Sequence, residues 1–175
     1  MQTISFDSHN LNDTQKLGTI LEQFIPDGAV VSLIGSLGTG KTTLVRAIAS
    51  AGGENPQDVS SPTFVLIQEY TAGRRPIYHF DAYRIADDDE FLELGPEEYF
   101  DSNGVTFVEW ADRVENCLPE SYIQISVEHT GDNSRRYIIS VIGVQYQNFL
   151  KNLADNPFFL WKFHKNPWNF SNDLI

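Results

Sequence analysis

Ala29-Val30-Val31-Ser32-Leu33-Ile34-Gly35-Ser36-Leu37-Gly38-Thr39-Gly40-Lys41-Thr42 is the stretch on which the reading of this chain turns. Ala29 to Ile34 is a short, continuous apolar run, the composition of a parallel strand buried on both faces. Gly35 to Thr42 fits G-x-x-x-x-G-K-[ST], and residues 42–51 read as a helix closed by Gly52-Gly53. A strand that ends, a loop that wraps and a helix that begins make a cradle for phosphate. Glycines permit the wrap and turn backbone N–H groups toward the oxygens. The helix N-terminus adds a partial charge of about +0.5. In such a loop the lysine, here Lys41, reaches the β- and γ-phosphates, and the hydroxyl of Thr42 ligates Mg²⁺. Four fixed positions match by chance in under roughly 1% of chains of this length. The strand-to-helix setting narrows that further, so a nucleoside triphosphate and Mg²⁺ are the expected ligands.

A phosphate loop needs a second acid for the metal, at the end of a neighbouring strand. Asp81 ends Ile77-Tyr78-His79-Phe80-Asp81, and Glu109 ends Val105-Thr106-Phe107-Val108-Glu109. Carboxylates there hold Mg²⁺ directly or through water, or orient an attacking water. A solvated strand-end acid is the alternative for either one alone and explains the pair less well. Ser60-Ser61-Pro62-Thr63 falls where a loop would sense the γ-phosphate, its hydroxyls ordered by triphosphate; an ordinary Ser- and Pro-rich turn is the plainer reading. Trp110, directly after Glu109, is either core or a lid over the nucleotide.

The chain has 175 residues, 41% hydrophobic and 21% charged, which suits one globular domain. The formal net charge is −12, from 24 acidic and 12 basic residues. A direct nucleic-acid binder needs Lys and Arg to neutralise phosphates. No basic helix or stripe is present, so any role in nucleic-acid chemistry is expected to run through a protein partner. No run approaches a membrane span, and the first residues lack the basic and apolar regions of a secretory signal. The single cysteine, Cys117, excludes an internal disulfide and suits a reducing cytosol, so a cytoplasmic protein is expected.

Outward from the loop, residues 11–24 have the apolar spacing of a helix, with Asn10 or Asn12 as its cap. Residues 63–70 and 76–83 read as a hairpin around Ala72-Gly73-Arg74-Arg75. Short acidic helices are expected on either side of Gly95. Residues 122–128 and 136–142 alternate as strands around Gly131-Asp132-Asn133, and residues 145–154 suggest a last helix. The expectation is a three-layer α/β P-loop domain over residues 1–154, a mostly parallel central sheet with antiparallel strands added from the hairpin and the C-terminal pair. Residues 155–175 form an aromatic-rich tail with Phe158, Phe159, Trp161, Phe163, Trp168 and Phe170. Pro157 and Pro167 argue against one long helix there. These aromatics either pack on the domain or dock a partner.

The motifs together resemble the TsaE (YjeE) family of bacterial ATPases. The resemblance rests on Leu37-Gly38-Thr39-Gly40-Lys41-Thr42-Thr43-Leu44-Val45-Arg46, Ser61-Pro62-Thr63-Phe64 and His79-Phe80-Asp81-Ala82-Tyr83-Arg84. It continues through Glu93-Leu94-Gly95, Glu98-Tyr99-Phe100, Val108-Glu109-Trp110 and Leu118-Pro119. It runs from about residue 11 to about residue 142 and leaves the tail uncovered. It implies an ATP-hydrolysing subunit serving N6-threonylcarbamoyladenosine formation in tRNA. The implied partners are the threonylcarbamoyl transferase subunit and its inactive paralogue (TsaD and TsaB type). It further implies that residues 38–43 hold the phosphates and that Thr42 and Glu109 ligate Mg²⁺. Asp81 would be needed for hydrolysis, and Arg135 would lie near the nucleotide. Ser36, Thr39 and Ala82 depart from frequent family residues (Asp, Ala and Leu) without removing a required donor.

Two other functions share the motif. A small-molecule kinase needs an acceptor pocket and an Arg-rich lid, for which Arg74-Arg75 is the only hint. A nucleotide switch would bind without needing hydrolysis. No obvious internal arginine finger is present, with Arg84 and Arg113 as the candidates, so hydrolysis is expected to be slow alone. No guanine-reading signature appears.

Overall fold

Strand β2 (Val30–Ile34) runs through the middle of the computed structural model, which describes residues 3–159. It pairs in parallel with β5 (Val105–Glu109) on one side and with β6 (Tyr122–His129) on the other. β4 (Ile77–Asp81) extends the parallel set beside β5. Antiparallel strands finish both flanks: β3 (Ile67–Tyr70) on β4, β7 (Arg135–Ile142) on β6, and β1 (Thr3–Ser8) on β7. The seven-stranded order is β1-β7-β6-β2-β5-β4-β3. This is the expected architecture, a parallel centre with antiparallel additions from the hairpin and the C-terminal pair. β1 has no counterpart among the sequence-based expectations. Its Ile4, Phe6 and Ser8 are buried while Thr3 and Ser5 are exposed, the period of a half-buried strand.

Helices α1 (Leu11–Phe24), α2 (Lys41–Ala51) and α5 (Gln147–Ala154) cover one face. Their core joins Leu17, Leu21, Leu44 and Ile48 to Val31, Leu33, Phe107 and Ile125 of the sheet. The other face carries α3 (Asp88–Leu92), α4 (Pro96–Phe100) and three 3-10 turns around Phe80, Phe91, Val108 and Val114. The layers are therefore three. Asn10 caps α1, its side chain accepting from the Asp13 N–H at 3.0 Å. Gly18 lets α1 and α2 close together, because a Cβ there would stand 2.5 Å from that of Ala47.

Two expectations need correction. The strand expected over 63–70 begins only at Ile67, because the Val65 and Leu66 amides both turn back to the Pro62 carbonyl, at 3.1 and 2.7 Å. The strand expected over 76–83 stops at Asp81, whose Oδ1 accepts from the Tyr83 N–H at 3.0 Å and starts a 3-10 turn. In the tail, Phe159 is buried, and Phe158 stacks on Phe6 with centroids 5.2 Å apart. Trp161, Phe163, Trp168 and Phe170 lie outside the described residues.

Register sets the site. Asp81 and Glu109 are paired partners on β4 and β5, both at the C-terminal ends of parallel strands. Because side chains alternate along a strand, both project to the face that carries α2. That places two acids beside the phosphate loop, where ligands of open α/β sheets bind.

Candidate functional site

The loop leaves β2 at Gly35 and enters α2 at Lys41. Gly35, Gly38 and Gly40 have φ of 150°, 77° and 101°, values that side chains rarely adopt. A Cβ on Gly35 would stand 2.4 Å from the Val127 carbonyl oxygen, whereas one on Gly38 would meet nothing within 4 Å. Beside the loop is a cavity of about 310 Å³. Gly38, Gly40, Lys41, Thr42 and Thr43 line it from the loop side, and Ser61, Thr63, Asp81, Glu109 and Trp110 face them.

Lys41 is buried, and its Nζ donates to the carbonyls of Gly35 at 2.6 Å and Ser36 at 3.1 Å. The ammonium also lies 3.9 Å from the centroid of a Trp110 ring. Burial holds its pKa below 10.5, partly countered by the charges of Glu109, Asp81 and Asp112. Thr42 Oγ1 donates to Glu109 Oε1 at 2.6 Å. The same oxygen lies 2.8 Å from Nε2 of His79, which is fully buried. The Tyr70 hydroxyl lies 3.4 Å from the other ring nitrogen, Nδ1, and donates to the Ser60 carbonyl at 3.1 Å. Burial raises the Tyr70 pKa above 10.0. Asp81 Oδ2 accepts from both Ser61 and Thr63, each at 2.7 Å.

Leu66 and Trp110 are the non-glycine residues of positive φ among those described, at 66° and 58°. The Leu66 carbonyl accepts from the Asp81 N–H, and Trp110 follows Glu109 directly. Backbone cost of this kind, of order 1–3 kcal/mol per residue, gathers where function demands a fixed geometry.

Of the residues expected at the site, Gly38, Gly40, Lys41, Thr42, Thr43, Asp81 and Glu109 line the cavity together. Gly35 and Thr39 shape the loop instead: the buried Thr39 donates its hydroxyl to the Ser36 carbonyl at 3.0 Å. Arg135 braces the loop through its backbone, Nε donating to the Thr39 carbonyl at 2.9 Å, and does not line the cavity. Arg84 lies over the Phe64 ring and Arg113 donates to the Ile85 carbonyl, so neither lines the cavity. Arg74 pairs with Glu22, and Arg75 with Asp27 and the Ile25 carbonyl, which ties both into the scaffold. Sequence reasoning does not single out His79 and Tyr70. The available signal is positional, since His79 precedes Asp81 by two residues and therefore shares its side of β4.

The family model for "Threonylcarbamoyl adenosine biosynthesis protein TsaE" matches residues 8–138. The chain belongs to the TsaE family. A tRNA threonylcarbamoyladenosine biosynthesis protein TsaE of Bacillus subtilis is 36% identical over 154 residues, 88% of this chain and 96% of that protein. The one from Treponema pallidum is 35% identical over 133 residues, 76% and 97% of the two chains. The crystal structure of Bacillus subtilis YdiB superposes with a TM-score of 0.73 at 31% identity, covering 87% of this chain and 95% of that one. Among the described residues, no helix is long and apolar enough to cross a membrane.

Proposed function

We propose that this chain is a Mg²⁺-dependent ATPase subunit supporting N6-threonylcarbamoyladenosine formation in tRNA, acting in the cytoplasm with the threonylcarbamoyl transferase subunit and its inactive paralogue. The observation that carries the ATPase reading is the 2.6 Å bond between Thr42 Oγ1 and Glu109 Oε1 beside the phosphate loop. It places a hydroxyl and a carboxylate of two different elements at one point, both of them hard oxygen donors. Among the described residues, no group of three or more His, Cys, Asp or Glu forms a metal cage. That donor set fits Mg²⁺, which keeps several waters and takes its remaining oxygens from substrate phosphates. The pathway assignment rests on family membership and on the names of the relatives.

Bound Mg²⁺ supplies charge neutralisation at the phosphates. Thr42 and Glu109 would hold it, and the loop N–H groups with Lys41 would bind the phosphate oxygens. For Lys41 this means exchanging the Gly35 and Ser36 carbonyls for the ligand. Asp81, its Oδ2 fixed by Ser61 and Thr63, accepts a hydrogen bond from the attacking water and orients it toward the γ-phosphorus. The water oxygen bonds to the γ-phosphorus as the bond to the β–γ bridging oxygen breaks; ADP leaves with that oxygen, and the water's protons pass to the phosphate formed and to solvent. A groove of about 350 Å³ between α1 and α2 shares Thr43 with the first cavity and offers room for the nucleoside.

Partner dependence has its own support. Leu37, Phe64 and Val65 are strongly exposed apolar side chains, and Leu37 lines the cavity while Phe64 adjoins Thr63. The net charge of −12 disfavours a direct grip on tRNA. A kinase lid built on Arg74-Arg75 is disfavoured by their pairing with the scaffold. The test is ATP hydrolysis with and without the purified transferase pair, for wild type and Lys41→Ala. Stimulation by the pair that is lost in Lys41→Ala is the expected result. Normal ATP binding with no stimulation would favour a non-hydrolytic switch or a kinase.

A further inference from the structure

We infer that Tyr70 and His79 are positioning residues that couple the 60–63 loop to Glu109, so that the place of the loop sets the orientation of this carboxylate. The inference deepens the reading of Glu109 as a cation ligand and rests on it for its functional meaning. Its structural basis is separate.

β3 and β4 pair with Tyr70 opposite Ile77 and Gln68 opposite His79. Tyr70 and His79 are therefore diagonal neighbours on one face of the sheet. Both side chains are buried, and their ring centroids are 6.2 Å apart. Buried polar groups are costly unless paired, so the contacts of this imidazole constrain its proton arrangement. Nε2 faces Glu109 Oε1 at 2.8 Å, and Nδ1 faces the Tyr70 oxygen at 3.4 Å.

The Tyr70 hydroxyl has one proton and two acceptors within reach, the Ser60 carbonyl at 3.1 Å and His79 Nδ1. It donates to one of them at a time. Donation to Ser60 holds the loop against β3. Glu109 accepts from Nε2–H in either case, which leaves Nδ1 as an acceptor. When the Ser60 carbonyl withdraws, the hydroxyl donates to Nδ1 and pins the ring, and with it the donor that faces Glu109. The next residues of the same loop, Ser61 and Thr63, hold Asp81. One loop thus touches both acids of the site: Asp81 directly through hydroxyls, and Glu109 through Tyr70 and His79. An ordinary packing role for Tyr70 and His79 would leave Glu109 with no dependence on the loop.

The experiment is a double-mutant cycle read by backbone hydrogen exchange of residues 60–66 in nucleotide-free protein. The four proteins are wild type, Tyr70→Phe, Glu109→Ala and the double variant, with β2 amides as the internal reference. Tyr70→Phe keeps the ring and removes only the hydroxyl. Glu109→Ala is expected to change loop exchange in the wild-type background and to leave it unchanged when Tyr70 is Phe. The expected coupling is about threefold or more in exchange rate, within the range for residues in one network. His79→Gln keeps a donor for Glu109 and cuts the Tyr70 leg, so it should reproduce Tyr70→Phe in a second cycle. Additive exchange rates in both cycles would overturn the coupling. ATPγS affinity with Mg²⁺ and with EDTA separates this from the parent reading. A coupled cycle, with Mg²⁺ dependence unchanged by Glu109→Ala, would retain the coupling and sink the cation role. An additive cycle with Mg²⁺ dependence abolished would do the reverse.

Discussion

Replacing Gly18 by Ala sets two effects of known size against each other. Ala is favoured over Gly in a helix interior by about 1 kcal/mol, and Gly18 lies inside α1. Against this, the new Cβ would stand 2.5 Å from Ala47 Cβ, 2.7 Å from Ala47 C and 2.9 Å from Ile48 N. Non-bonded carbon pairs are most favourable near about 3.5–4.0 Å, so α1 and α2 must part by about 1 Å. Two of the three atoms belong to the α2 main chain, and no rotamer change moves them. Overpacking of this kind costs about 1–3 kcal/mol, and the opened seam loosens Leu17, Leu21, Leu44 and Ile48, all buried at 0–1% exposure. Contacts with main-chain atoms put the cost at the upper end, about 3 kcal/mol against a gain of about 1, so Gly18→Ala should destabilise by about 2 kcal/mol. A urea titration measures it as a lowered midpoint at unchanged slope. Since α2 begins with Lys41, Thr42 and Thr43, ATPγS affinity should fall in the same variant. Adding Ala47→Gly removes the Cβ–Cβ clash but leaves the Ala47 C and Ile48 N contacts, so recovery should be partial. A midpoint at or above wild type would refute the reasoning, because it would mean that the helices part without loss.

Three further outcomes are expected. Asp81→Asn keeps the size of the side chain and an oxygen for the Tyr83 N–H; it should retain ATPγS binding while hydrolysis falls by about 10²–10⁴, and unchanged turnover would remove Asp81 from the chemistry. Lys41, held by burial below 10.5, makes the folded state bind fewer protons than the unfolded chain between its lowered value and 10.5. Stability of the free protein should therefore gain a rising component with pH in that window, and Lys41→Met should lack it in urea midpoints compared as pH approaches 10.5 from below. Phe159→Ala removes a side chain buried at 1% that meets Phe6 edge-on at 6.0 Å. It should cost about 3–5 kcal/mol in thermal or urea unfolding, and a negligible change would mean that this contact adds nothing to the core.

What the sequence made legible was local. β2, the glycine loop and α2 follow one another, and each declares itself by composition and spacing within a few residues. Asp81 and Glu109 were legible for a related reason: each ends an apolar run, and parallel strands bring such ends to one edge of the sheet. β1 was not read, because Ile4 and Phe6 give only two apolar positions of alternation, and its partner, Arg135–Ile142, lies far along the chain. Residues 63–66 misled in the opposite sense. Their aromatic and β-branched content suits a strand, but the Pro62 carbonyl captures two of their amides and leaves Phe64 81% exposed. Arg135 lies 96 positions from the loop carbonyl it supports, and no local signal encodes that bond. His79 sits in an apolar run and Tyr70 follows Gln68-Glu69, and neither position marks itself as part of a site. Only the β3–β4 register turns them toward a carboxylate and a loop.

The charges around the cavity bear on why such a site would need both a cation and a partner. Among the described residues that line it, Lys41 is the only basic one, against the carboxylates of Asp81 and Glu109. A triphosphate brings several more negative charges. At an effective dielectric constant near 20, two like unit charges 4 Å apart repel by about 4 kcal/mol. On the proposed reading, Glu109 and a phosphate share the site only with a divalent cation between them, which accounts for a carboxylate standing 2.6 Å from the loop hydroxyl. Asp81 is held by hydroxyls and a backbone N–H rather than by an arginine, and on the proposed reading these donors orient it toward the attacking water. The charge that develops on the transferred phosphoryl group must also be met, and neither Arg84, Arg113 nor Arg135 lines the cavity. On the proposed reading a positive group from the partner would complete the site, and Leu37, Phe64 and Val65, exposed beside it, would be the apolar contact that seats that partner.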